Sequence, residues 1–172
     1  MRRLIILRHA KAELAGAGTR DCDRGLAARG REDAAKVGAY MARHGLVPEY
    51  ALVSPAQRTR ATWELVTSAM SLHPQAKFDE RLYDASAETI LKVIRETPAQ
   101  ARCVCVVGHN PGLHQLSLVI VGAGTGANRH SLAEGLPTSG LVVFGVETNA
   151  WSDLQPHSGH LERFVSPRQG LE

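Results

Sequence analysis

The chain has 172 residues, 44% of them apolar and 22% charged, which is ordinary for a globular protein. Its 20 Lys+Arg against 17 Asp+Glu leave +3, an excess too small and dispersed to argue for nucleic acid as a partner. No run approaches the ~20 apolar residues of a membrane span, and the four apolar residues after Met1-Arg2-Arg3 are too few for a signal peptide. The expected compartment is the cytoplasm, with no membrane partner. The length suits a single domain over 1–172, with 166–172 expected to form a loose tail.

"RRLIIL" reads as a short, continuously apolar strand. Residues 10–25, with Gly16, Gly18, Asp21 and Asp23, read as a loop. Ala34, Val37 and Met41 then recur at helical spacing, and "RHG" at 43–45 suits a helix end. "YALVS" is a second strand. In "SPAQRTRATWELVTSAM" Ser54 is a natural N-cap and Pro55 suits the first helical position, with Trp63, Val66 and Met70 as the apolar stripe. "KFDERLYDAS" is an extended segment and loop, and residues 86–97 are helical through Ile90, Val93 and Ile94. "RCVCVVG" is another strand, whose Cys103 and Cys105 share one face as small buried hydrophobes. "NPGLHQLSLVIVG" is a further Pro-initiated helix, and "GLVVFGVE" and "HLERFVS" are late strands.

Strands alternating with helices predict a three-layer α/β/α sandwich around a mostly parallel central sheet. Uninterrupted apolar runs suit strands covered on both faces.

Polar groups recur at three strand ends. One strand ends in Arg8-His9, another in Ser54-Pro55 with Arg58 following, a third in Gly108-His109-Asn110-Pro111. Ligands of open α/β sheets bind at the carboxyl ends of strands. If these strands are parallel neighbours, Arg8, His9, Arg58 and His109 share one pocket, and two helix N-termini open beside it. Guanidinium forks match phosphate oxygens. A neutral imidazole is a competent nucleophile near neutral pH. The expected chemistry is in-line attack of His9 on phosphorus, with Arg8, Arg58 and His109 stabilising the transferring group, followed by hydrolysis of the phosphohistidine by water.

The stretches "LRHAKA", "DRGLAARGREDA", "LVSPAQRTRAT" and "VVGHNPGL" resemble the histidine phosphatase superfamily, which has the phosphoglycerate-mutase-like fold. They match in order and approximate spacing over roughly residues 3 to 121. The family tripeptide is R-H-G. Ala10 replaces its glycine here, as in the short bacterial branch related to the SixA phosphohistidine phosphatases, and so this position needs no positive φ. The resemblance implies that His9 is the phosphorylated nucleophile, that Arg8 and Arg58 bind phosphate, and that His109 is the second catalytic histidine. It also puts Arg24 at the pocket border.

Ester-cleaving relatives place an acid after the second helix. Asp79, Glu80 and Asp84 are available, with Glu80 the preferred match. A phosphoramidate needs less help from an acid, because its leaving nitrogen is basic. This favours a phosphohistidine-bearing protein as substrate and partner. A small-molecule phosphomonoesterase and a non-catalytic phosphate-binding module are the alternatives. His44, His73, His114, His130, His157 and His160 are assigned surface or structural roles. No H-E-x-x-H or comparable ligand run occurs, so no metal or other cofactor is implied. The oligomeric state is not legible.

Overall fold

The computed structural model describes residues 1–168 and 171. Its framework is a seven-stranded sheet of order β3-β2-β4-β1-β6-β7-β5. The strands are β1 (Arg2–Arg8), β2 (Tyr50–Val53), β3 (Gln75–Phe78), β4 (Cys103–Gly108), β5 (Val121–Gly124), β6 (Leu141–Val146) and β7 (Gly159–Val165). The first four run parallel where they pair, β6 is antiparallel to both its neighbours, and β5 is parallel to β7. The sheet is therefore mostly parallel, as the alternating sequence pattern predicts.

Alternating side chains divide the sheet between two cores. Leu4, Ile6, Val104, Val106, Val142 and Phe144 face one side, under α3 (Ala87–Arg95) and α4 (Gly112–Ile120). Ile5, Leu7, Cys105, Val107, Leu141 and Val143 face the other, under α1 (Ala28–Arg43) and α2 (Gln57–Thr67). This two-sided burial is why these strands read as unbroken apolar runs. Cys103 packs on the same side as Cys105, as their alternation predicts.

Several boundaries differ from expectation for identifiable reasons. The helix after β2 starts at Gln57 rather than at Pro55, because Ala56 is still extended (ψ 145) and serves as the cap position. Ser54 does not cap the helix: its hydroxyl is engaged elsewhere, and Thr59 Oγ1 donates to the carbonyls of Ser54 and Ala56. The helix after Pro111 ends at Ile120, and the "VIVG" end of the expected helix becomes edge strand β5. A helix unforeseen in the sequence, α5 (Gly126–Glu134), follows. Leu132 is its only buried residue, so it carries no apolar stripe to read. The expected loose tail falls partly on residues 169, 170 and 172, which lie outside the described residues. Ser166 is buried, and Leu171 packs against the core beneath α1. Among the described residues no helix is long and apolar enough to cross a membrane.

Close backbone approach fixes how the helices sit. A Cβ added at Gly38 of α1 would lie 2.5 Å from the Val66 carbonyl oxygen of α2, and one at Gly112 would lie 2.0 Å from the Ala85 carbonyl oxygen. Gly38 therefore lets α1 and α2 touch over β1 and β4, and Gly112 lets the segment after Tyr83 lie directly against the start of α4. Both contacts oppose backbone that cannot step aside as a flexible side chain could. Gly38→Ala is expected to cost about 1–3 kcal/mol by wedging α1 from α2. Urea unfolding measures this, and a midpoint equal to wild type would show that the helices adjust freely.

Candidate active site

Register builds the site. Leu7 pairs with Val107 and Arg8 with Gly108, while Val53 pairs with the same Val107. The residues just past this row, Ser54, His9 and His109, therefore leave three adjacent parallel strands at one edge. Backbone bonds continue beyond the strands, from His9 N to Gly108 O (3.1 Å) and from Ser54 N to Val107 O (3.0 Å). The imidazoles of His9 and His109 end with ring centroids 5.4 Å apart.

His9 is 8% exposed, and its Nδ1 lies 2.7 Å from the Ala10 carbonyl oxygen. A carbonyl only accepts, so the Nδ1 carries the proton and Nε2 keeps its lone pair. Ala10 is buried, and its N–H donates to Thr62 Oγ1 at 2.9 Å. It is not among the positive-φ residues, so alanine costs nothing in backbone strain where the family has glycine. Burial is the main force lowering the His9 pKa, to about 3, and it outweighs the opposing bond to Ala10; the nearby His109, Arg58 and Arg8 lower it further. The ring is neutral throughout the physiological range.

His109 is 6% exposed and is held from both sides. Arg58 Nη2 lies 3.3 Å from its Nδ1, and a guanidinium only donates. The ring proton is therefore on Nε2, donated to Ser54 Oγ at 2.7 Å. The same Oγ accepts from the Ala56 N–H at 3.4 Å, so Ser54 bonds the residue before the helix and His109 rather than an N–H within the helix. Burial first, then Arg58, lower the His109 pKa to about 4.

Arg8 projects from the end of β1, and its Nη1 donates to the Leu136 carbonyl at 2.9 Å. Asn110 Nδ2 donates to the same carbonyl at 2.8 Å. The connection between α5 and β6 also takes the Arg8 N–H on Gly140 O and gives the Ser139 N–H to His9 O, both at 3.1 Å. It thus forms a fourth wall that sequence reasoning missed. Arg58 comes from the first turn of α2, and Asp21 takes two of its donors: Nη1 bonds the Asp21 carbonyl at 2.8 Å and Nη2 bonds Oδ2 at 3.0 Å. The Nε groups of Arg8 and Arg58 are buried with no partner among the described residues. Two guanidiniums near two imidazoles suit an anion with several oxygens.

The structure thus brings Arg8, His9, Arg58 and His109 together as expected. It adds Asp21, Ser54, Thr62 and Tyr83, whose ring meets His109 edge-on at 5.5 Å between centroids. Arg24 borders the group through Asp21, with Nη1 3.3 Å from Oδ1. Among the acids, Asp79 is tied up by hydrogen bonds from Arg81, which hold its pKa at about 2, so it carries no proton to donate. Glu80 is exposed and lines a cavity of about 460 Å³ with Tyr83, Pro55 and Ala56, at the rim rather than among the histidines. Asp84 is exposed. A larger cavity, about 490 Å³, lies beyond the Leu136 carbonyl and touches this group only at Asn110 and Leu136. The cluster of two arginines and two histidines lies at the strand ends and not in that cavity. Elsewhere His114 Nε2 bonds Leu132 O, His44 stacks on Tyr40, and His130 pairs with Glu134.

Comparison with known proteins places the chain in a family. The family model of the histidine phosphatase superfamily (branch 1) matches residues 4–102, a span that includes His9 and Arg58 and stops short of His109. The uncharacterised protein Rv1276c of Mycobacterium tuberculosis is 32% identical over 164 residues, covering 94% of this chain and all of that protein. The solved structure of a candidate phosphohistidine phosphatase, SixA, from Agrobacterium tumefaciens superposes with a TM-score of 0.82 at 30% identity, over 96% of this chain and 98% of that one. A second SixA candidate, from Nakamurella multipartitia, gives a TM-score of 0.77 at 26% identity over 96% of each chain. On fold, strand-end residues and family model alike, this chain belongs to the histidine phosphatase superfamily and is a phosphatase.

Proposed function

We propose that this phosphatase is metal-independent, works through a covalent phosphohistidine on His9, and removes phosphate from a phosphohistidine carried by a protein. The observation that carries the reading is the Nδ1–H bond of His9 to the Ala10 carbonyl, which leaves Nε2 unprotonated beside Arg8, Arg58 and His109. Attack by Nε2 forms an N–P bond as the bond from phosphorus to the leaving atom breaks. The ring gains positive charge as it does so, and the Ala10 carbonyl accepts from the N–H that shares that charge. Arg8 and Arg58 stabilise the equatorial oxygens. His109 stays neutral in this step, because its Nδ1 accepts from Arg58 and a proton there would face the guanidinium donors. Water then attacks phosphorus, the N–P bond breaks, and phosphate leaves with His9 neutral again.

Two features favour a phosphoramidate. The acids near the site are either locked in ion pairs or exposed at its rim, so none is held among the histidines. A leaving imidazole whose far nitrogen already bears a proton departs neutral and needs no acid. The two SixA structures are also of candidate phosphohistidine phosphatases. Glu80, on the 460 Å³ cavity beside Tyr83, favours a second reading, a small-molecule phosphomonoesterase.

Brief incubation with a labelled phosphoramidate is expected to give an acid-labile label on His9 and none in His9→Ala. Label elsewhere would remove the proposed nucleophile. Arg58→Ala is expected to slow labelling by about 100-fold, as loss of one charge-stabilising donor does. Chelators should leave the rate unchanged, whereas vanadate should compete. A phosphohistidine protein is expected to be dephosphorylated faster than any of a panel of sugar phosphates. The reverse order, with ester cleavage lost in Glu80→Gln, would favour the second reading.

Acid behaviour follows from the depressed His9 pKa. The acid limb of kcat/KM reports groups of the free enzyme, so labelling should persist at about pH 5, once corrected for titration of the donor. An acid midpoint near 6.5, the ordinary imidazole value, would contradict a His9 pKa of about 3.

A further inference from the structure

Asp21 reads in the sequence as a loop residue, yet its carboxylate is the convergence point of three side chains around the site. We propose that Asp21 is a positioning residue that fixes the plane of the Arg58 guanidinium against His109, so that the phosphoryl site is assembled before substrate arrives. The inference rests on reading Arg58 and His109 as phosphoryl-binding groups.

Two contacts from one residue define the guanidinium. Arg58 Nη1 bonds the backbone carbonyl of Asp21 (2.8 Å) and Nη2 bonds its carboxylate (3.0 Å). A single contact would leave the fork free to rotate about it, whereas two fix both position and plane. The plane so fixed is the one that lets the same Nη2 reach His109 Nδ1 at 3.3 Å. Asp21 is itself held. The Tyr83 hydroxyl donates to Oδ2, and Arg24 Nη1 lies 3.3 Å from Oδ1, so both carboxylate oxygens are partnered.

Exposure separates the roles. The Arg58 side chain is 9% exposed and that of Asp21 is 53%. The anion anchors the cation from the rim, where water still solvates it, and does not fill the pocket. Arg58 Nε is buried with no partner among the described residues, so the two contacts to Asp21 and the one to His109 are what hold the guanidinium. One carboxylate against Arg8, Arg24 and Arg58 also leaves the pocket with positive charge for a dianion. An arginine with four rotatable torsions and no such anchor would lose conformational freedom on each binding event. Tyr83, edge-on to His109 and bonded to Asp21, ties the loop of residues 10–25 to the segment that precedes α3.

The test compares Asp21→Ala, Asp21→Asn and Tyr83→Phe with Arg58→Ala, by the rate of His9 labelling, the KM–kcat split and the inhibition constant for vanadate, with melting temperature measured in parallel. Asp21→Ala is expected to weaken vanadate and slow labelling by about 10–100-fold, the scale of a misplacement near 1 Å. Asp21→Asn, which keeps the backbone carbonyl and one acceptor oxygen but loses the charge, should lose about threefold or more while staying ahead of the alanine variant, and Tyr83→Phe should lose least. Vanadate affinity and kcat within twofold of wild type in Asp21→Asn would overturn the inference while Arg58→Ala remained impaired. Tighter vanadate binding would also overturn it, since Asp21 would then be competing with the anion. Wild-type vanadate binding by Arg58→Ala would instead bring down the reading of the site beneath it. Asp21→Asn decides the case if the alanine variant does not fold.

Discussion

In-register parallel pairing of β2, β4 and β1 is the constraint from which the site follows. Residues 9, 54 and 109 are far apart in the chain, and none of their side chains meets another by local geometry. They meet because Val53, Val107 and Leu7 lie in one row of the sheet. Parallel strands all deliver their carboxyl ends to the same edge, so whatever follows each strand is collected there. A register slip of one residue in any of the three would turn its side chains to the other face. The two buried cores oppose that slip, because Leu4 and Ile6 fit one side and Ile5 and Leu7 the other. Hydrophobic burial on both faces therefore sets the placement of the polar groups at the edge.

The edge is electrostatically one-sided. Two arginines and two histidines share a pocket in which both imidazoles are buried, and burial and positive neighbours act together to keep the rings neutral. This arrangement destabilises the protein on its own and suits a bound anion. Between the ordinary imidazole value of 6.5 and the depressed native values, the unfolded chain binds protons that the folded chain does not. Folding stability from these two groups therefore declines as pH falls through that window. On the proposed mechanism, a neutral nucleophile at physiological pH is the functional counterpart of that cost.

Much of this was legible because the sequence marks strand ends sharply. "LIILRH", "ALVSP" and "VVGHNP" each pass abruptly from continuous apolar residues to a polar residue, which locates both the strand and its terminus. The partners of those residues were not legible. Asp21 lies 37 positions from Arg58 and 62 from Tyr83, and the carbonyl of Leu136 lies 128 from Arg8. A backbone carbonyl has no signature in residue identity, and an aspartate between glycines reads as a turn residue whether or not it reaches an arginine. Ser54 was misassigned for a related reason. Serine before proline looks like a helix cap, and only the tertiary contact to His109 shows where its hydroxyl goes. Helix α5 escaped because its sequence buries one residue and so has no periodicity to detect.

The way the acids are placed bears on which bond this pocket is suited to break. Asp79 is buried, yet it is spent on Arg81 and Lys77. Asp21 is spent on Tyr83 first, then on Arg58 and Arg24, which together lower its pKa against the opposing effect of burial. Glu80 and Asp84 stand in solvent, which has no fixed geometry toward phosphorus. An alkoxide leaving group demands a proton at the moment of cleavage, and such an enzyme would need a carboxylic acid kept protonated near the phosphate. The pocket instead devotes its nearest carboxylate to holding a guanidinium still. That disposition supports the proposed reading, in which the pocket stabilises a transferring phosphoryl group and the leaving nitrogen departs without an acid.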